Sequence, residues 1–81
     1  MNKPMIPPLP SQITKSTLDN WFQYHPPKGD QQERYIKIRD KAKEFAELIL
    51  NCTPSCADQT AAFRKLRETV MAVNLTIACN E

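Results

Sequence analysis

Glycine is nearly absent, Gly29 being the only one in the chain. Phosphate-cradling glycine loops, dinucleotide-binding fingerprints and tight β-hairpins need several residues free to take positive φ, so those classes are excluded. Histidine is as scarce. His25 stands alone between Tyr24 and two prolines, and no nucleophile–base set can be assembled around it. No enzyme is expected. The cysteines, Cys52, Cys56 and Cys79, are an odd number without a secretory leader, which argues against a disulfide framework, and they lack the paired spacing of a zinc site. They read as small thiols, with no metal or cofactor. No apolar run approaches the ~18 residues of a membrane span, and the N-terminus lacks the apolar core of a signal peptide. The chain is therefore expected to be soluble and cytosolic, with no membrane partner. A formal charge of +2, from 11 basic and 9 acidic side chains, is too balanced for a protein dedicated to DNA or RNA polymers.

What is present is apolar periodicity. At 81 residues with 41% hydrophobic content, the chain makes one small domain, near the size at which a lone core becomes marginal. Six of its seven prolines precede residue 30, so residues 1–15 are expected to form an extended, proline-rich arm and residues 16–81 the helical domain. Ser16 or Thr17 is expected to cap a short helical turn over Leu18–Phe22, followed by an extended loop through Tyr24-His25-Pro26-Pro27.

Asp30 with Glu33 reads as a capping box, and Tyr35, Ile38, Ala42, Phe45, Ile49 and Cys52 then recur at alternating steps of 3 and 4. That spacing predicts a helix over residues 31–52. Pro54 interrupts it. Ser55 with Asp58 reads as a second cap, and Phe63, Leu66, Val70, Val73 and Ile77 repeat the seam, predicting a helix over about 56–79. So short a connection makes the two helices antiparallel neighbours, an αα-hairpin. The fold class is thus all-α. Ile36, Ala46, Leu48, Leu50, Met71 and Leu75 add apolar surface beyond the one stripe that a hairpin covers, and self-association is the simplest way to bury it.

Candidate chemistry gathers around the proline loop. Trp21, Phe22, Tyr24 and His25 set four rings within five positions, and Arg39 lies about one turn beyond Tyr35. Rings stack on nucleobases, and arginine presents a planar fork to phosphate. Two readings stay open. The rings and Arg39 form a nucleotide clamp, or Trp21 and Phe22 plug the hairpin while Tyr24 caps the loop. Asp40, Glu44 and Glu47 are spaced to pair with neighbouring lysines, as ordinary helix surface.

Several runs resemble a known family. They are Asp19-Asn20-Trp21-Phe22-Gln23-Tyr24-His25-Pro26-Pro27, then Arg34-Tyr35 with Ile38-Arg39, Ala42-Lys43 and Phe45-Ala46. Downstream come Pro54-Ser55-Cys56-Ala57-Asp58, Arg64-Lys65 with Arg67-Glu68 and Val70-Met71, then Asn74 and Ile77-Ala78. Together these resemble the hairpin-domain family of phage anti-CBASS and anti-Thoeris sponges, over residues 18–81.

The resemblance implies a homo-hexamer of helical hairpins, acting in the host bacterial cytoplasm during infection. Such proteins bind cyclic oligonucleotide alarm signals without cleaving them. It implies cyclic dinucleotides such as cyclic GMP-AMP as ligands, held between protomers, with cyclic trinucleotides at a second pocket. Carried over by motif, Tyr24 would stack on a base and Arg39 would face phosphate, with His25, Pro26 and Lys41 lining the pocket. One departure stands out: family members often read Ile-Ala-Arg-Asn near the end, where this chain has Ile77-Ala78-Cys79-Asn80. Cys79 puts the trinucleotide pocket in doubt. The competing reading is a helical structural or adaptor protein that bundles with itself or a partner and binds no nucleotide.

Overall fold

A computed structural model describes residues 12–81, so most of the proline-rich arm lies outside the described residues. Within them are three helices in chain order: α1 (Lys15–Trp21), α2 (Gln31–Cys52) and α3 (Ala57–Asn80). The two long helices, of 22 and 24 residues, are each roughly 33–36 Å long and pack side by side as a hairpin. No helix among the described residues is long and apolar enough to cross a membrane.

The boundaries of the two long helices agree with the periodicity, while the expected capping bonds are not made. Helix α1 starts earlier than expected, because Thr14 is its N-cap. The Thr14 hydroxyl accepts from the Thr17 backbone N–H at 3.3 Å, and the Thr14 N–H donates to the Thr17 hydroxyl at 3.2 Å. With that reciprocal box closed, Ser16 and Thr17 belong inside the helix, which begins at Lys15.

Asp30 is the N-cap of α2, yet its carboxylate makes no capping bond. Arg34, one turn ahead, takes it instead, with Nε donating to Oδ1 at 3.2 Å. Helix α3 is capped by Cys56 in extended backbone rather than by Ser55, again with no side-chain bond. The interhelix turn is tied otherwise. Gln59 Nε2 donates to the Thr53 hydroxyl at 3.0 Å, and that hydroxyl donates to the Ile49 carbonyl at 2.6 Å.

The core is thin. Ile77, at 6% exposure, is the one buried apolar side chain among the described residues, while Ile38, Ala42, Ile49, Phe63, Leu66, Val70 and Val73 are half-buried. Phe45 and Cys52 leave the predicted seam and lie exposed, Phe45 at 52%. A hairpin without a third layer covers only the facing stripe of each helix, so seam positions at its margin stay in solvent. The radius of gyration of 17.0 Å exceeds the ~11–12 Å of a compact domain of this length.

Candidate functional site

The proline loop is fastened to the far end of α3. Asn20 Nδ2 donates to the Cys79 carbonyl at 2.9 Å, and His25 Nε2 lies 2.7 Å from the Asn20 carbonyl. A carbonyl oxygen only accepts, so this nitrogen carries the imidazole proton. Next comes a turn in which Gln31 N–H donates to the Lys28 carbonyl at 3.0 Å, with Gly29 at φ 57°. That left-handed conformation is where the chain spends its single glycine.

Gln31, buried to 5% exposure, accepts from the Lys28 N–H at 3.1 Å and donates from Nε2 to Glu81 Oε1 at 3.0 Å. Arg34 grips the same carboxylate from both guanidinium ends, at 2.6 and 2.8 Å. Hydrogen bonds from Arg34, and then from Gln31, hold the Glu81 carboxyl down at about 2, below its ordinary 4.5. The same pairing raises the Arg34 guanidinium. These bonds lock the start of α2 to the end of α3, with the Tyr24 loop between them.

Beside this joint opens a groove of about 700 Å³. The loop supplies Tyr24, His25 and Pro27; α2 supplies Gln32, Tyr35, Ile36 and Arg39; α3 supplies Met71, Asn74, Leu75 and Ala78. The Tyr24 ring stands in solvent at 81% exposure, at the groove's edge rather than folded down as a loop cap. Arg39 is exposed and makes no ion pair among the described residues. An open apolar groove carrying a free ring and an unpaired guanidinium suits a flat, anionic ligand.

The hairpin-domain model of the Acb2/Tad1 family matches residues 14–78, most of the chain. This chain belongs to that family, whose members are anti-CBASS and anti-Thoeris sponges. No curated protein and no solved structure matches it.

Of the five residues singled out by sequence, Tyr24, His25 and Arg39 share the main groove. Pro26 lines instead a smaller hollow of about 220 Å³ with Lys28, Gln31 and Glu81, which shares Tyr24, His25, Pro27 and Ala78 with the main groove. Lys41 lines none of these hollows. It is exposed at 79% and pairs with Glu44 at 3.3 Å on the outer face of α2. Cys79 lies with Trp21 and Phe22 along a separate hollow of about 490 Å³, its thiol 4.0 Å from His25 Nε2. Phe22, at 83% exposure, does not plug the hairpin, and Trp21 is only partly covered.

Sequence reading gave Asn74 no role in the groove. Its Oδ1 is buried there without a hydrogen-bond partner, an uncommon state for a buried polar atom. The only sequence signal was an amide next to the apolar seam residue Val73.

Proposed function

We propose that this chain is a phage counter-defence sponge that binds cyclic oligonucleotides, cyclic dinucleotides such as cyclic GMP-AMP foremost, and withholds them from CBASS effectors. The observation that carries this reading is the juxtaposition of exposed Tyr24 and unpaired Arg39 on one open groove, in a member of a sponge family. Tyr24 stacks on a base and Arg39 meets a phosphate. His25 has a positioning role, since its Nε2–H is committed to the Asn20 carbonyl. Sequestration rather than cleavage fits that assignment, because the only imidazole in the chain holds the loop. The exposed Ile36, Phe45, Leu48, Leu50, Met71 and Leu75 support a homo-oligomer, a hexamer in this reading, with the groove completed by a neighbouring protomer.

The test is calorimetric titration of wild type and Tyr24→Ala with cyclic di- and trinucleotides, followed by recovery of the ligand after proteolysis. Base–aromatic stacking is worth about 1–3 kcal/mol, so Tyr24→Ala is expected to weaken cyclic GMP-AMP binding by roughly five- to 150-fold. Its melting temperature is expected to stay unchanged, because the ring is already solvated. Recovered ligand is expected intact. No binding across the panel by wild type would sink the reading. A folded oligomer that binds none of the nucleotides would favour the adaptor, for which the exposed apolar residues on both long helices already speak.

A further inference from the structure

The main groove does not end at Arg39. Arg39 and Met71 also line a second hollow, of about 370 Å³, that continues along the cleft between α2 and α3. This extension has an apolar floor, two further cations, Lys43 and Arg67, and no carboxylate. Beyond it, Arg64 joins Arg67 beside Glu68, the one acidic group lining that shallow end.

Three cations of the fold are held by carboxylates, while Lys37, Arg64 and Lys65 make no ion pair among the described residues. Lys15 pairs with Asp19, Lys41 with Glu44, and Arg34 with Asp30 and Glu81. Arg39, Lys43 and Arg67 make no ion pair among the described residues, although they converge on one cleft. Gathering like charges along an apolar floor opposes folding, and an anion in the cleft relieves that repulsion. A phosphate is the anion for which arginine's fork is built.

We propose that Lys43 and Arg67 form a second phosphate subsite. It deepens the sponge reading and rests on it. Tyr24 takes a base, Arg39 at the junction takes one phosphodiester, and Lys43 with Arg67 take the next. The full cleft therefore recognises nucleotides carrying two phosphodiesters set apart, and holds those with only one phosphate weakly.

The test crosses variants with ligands by calorimetry. Wild type, Arg67→Ala, Lys43→Ala and Tyr24→Ala are each titrated with cyclic GMP-AMP and with cyclic GMP, at low and high salt. Arg67→Ala is expected to weaken cyclic GMP-AMP binding by about ten- to a hundredfold, the range for a charge-assisted hydrogen bond. It is expected to flatten the salt dependence and leave cyclic GMP binding as in wild type. Lys43→Ala should act in the same direction. Both side chains are exposed and removing either relieves like-charge repulsion, so melting temperatures should match or slightly exceed wild type. Wild-type affinity for cyclic GMP-AMP in both variants, with binding lost in Tyr24→Ala, overturns the subsite and leaves the sponge standing. Equal losses for both ligands also overturn it, since they report overall charge rather than a second phosphate. A wild type that binds neither ligand removes the sponge reading and the subsite with it.

Discussion

Gln31, at 5% exposure, is the one buried polar residue among the described residues, and its removal should loosen the joint that holds the Tyr24 loop. Gln31→Ala deletes the bond accepted from the Lys28 N–H at 3.1 Å and the bond donated to Glu81 at 3.0 Å. Each hydrogen bond is worth about 1 kcal/mol net, which sets an upper figure of about 2 kcal/mol. The real loss is smaller. Lys28 is exposed, so water reaches its freed N–H, and Glu81 keeps both Arg34 contacts. A loss of about 1–2 kcal/mol corresponds to a melting temperature lower by about 4–16 °C, read at fixed protein concentration because any self-association would add to stability.

Gln31→Glu separates the two bonds. The glutamate still accepts from Lys28, but it has no amide to donate and sets a second carboxylate against Glu81. This variant is expected to be destabilised at neutral pH. It should recover as acidification lets one proton be shared between the carboxylates. The assay is thermal unfolding followed by circular dichroism across pH. Gln31→Ala melting within about 2 °C of wild type, or a Gln31→Glu profile parallel to wild type, would refute the joint.

Gly29→Ala isolates a backbone cost, because a Cβ there would meet no atom within 4 Å. Left-handed φ costs an alanine about 1–2 kcal/mol, so the urea midpoint should fall with the slope unchanged, and Gly29→Asn should recover part of the loss. The Glu81 carboxyl, held at about 2 against 4.5 when free, contributes stability that is complete above about 4.5 and disappears as pH falls through about 2. Trp21 fluorescence should report α3-end loosening in that window, and Glu81→Gln should abolish that response; an identical acid profile in the variant would exclude Glu81 as its source. Phe45→Asp and Leu48→Asp, at side chains 52% and 56% exposed, should shift sedimentation to smaller species while helicity per chain persists. Unchanged mass in both would exclude these two side chains from self-association.

The long helices were legible because their signal is redundant. Five or six seam residues in each must all fall on one face, and a few exposed members such as Phe45 do not disturb the phase. Capping is the opposite case. Each cap turns on one side chain with several neighbours competing for it, and Arg34 took the Asp30 carboxylate that Glu33 seemed to frame. The joint was hidden for a related reason. Gln31, Arg34 and Glu81 are 47 to 50 positions apart across it, and no local pattern links a helix's first turn to the residue after another helix. Tyr24 and Arg39 could be paired on paper because the intervening loop and helix turns fix a short path. Arg67 could not, since it reaches the same cleft from α3 only after the hairpin closes.

The apolar walls of the groove and the uncovered apolar surface of the hairpin overlap. Ile36, Met71 and Leu75 line the groove, and they remain 39%, 62% and 54% exposed in the single chain. A protomer that covers them also roofs the place where Tyr24 and Arg39 would hold a ligand. On the sponge reading, assembly and ligand capture then bury much of the same surface, so each must strengthen the other by the same free energy. A ligand seated against one hairpin offers its second face to the next, and it raises the cost of dissociating the pair. Sedimentation of dilute protein with and without cyclic GMP-AMP measures this directly. Ligand should shift the population toward the larger species at concentrations where the free protein begins to dissociate. If assembly were indifferent to saturating ligand, the binding groove and the self-association surface would have to be separate faces of the hairpin.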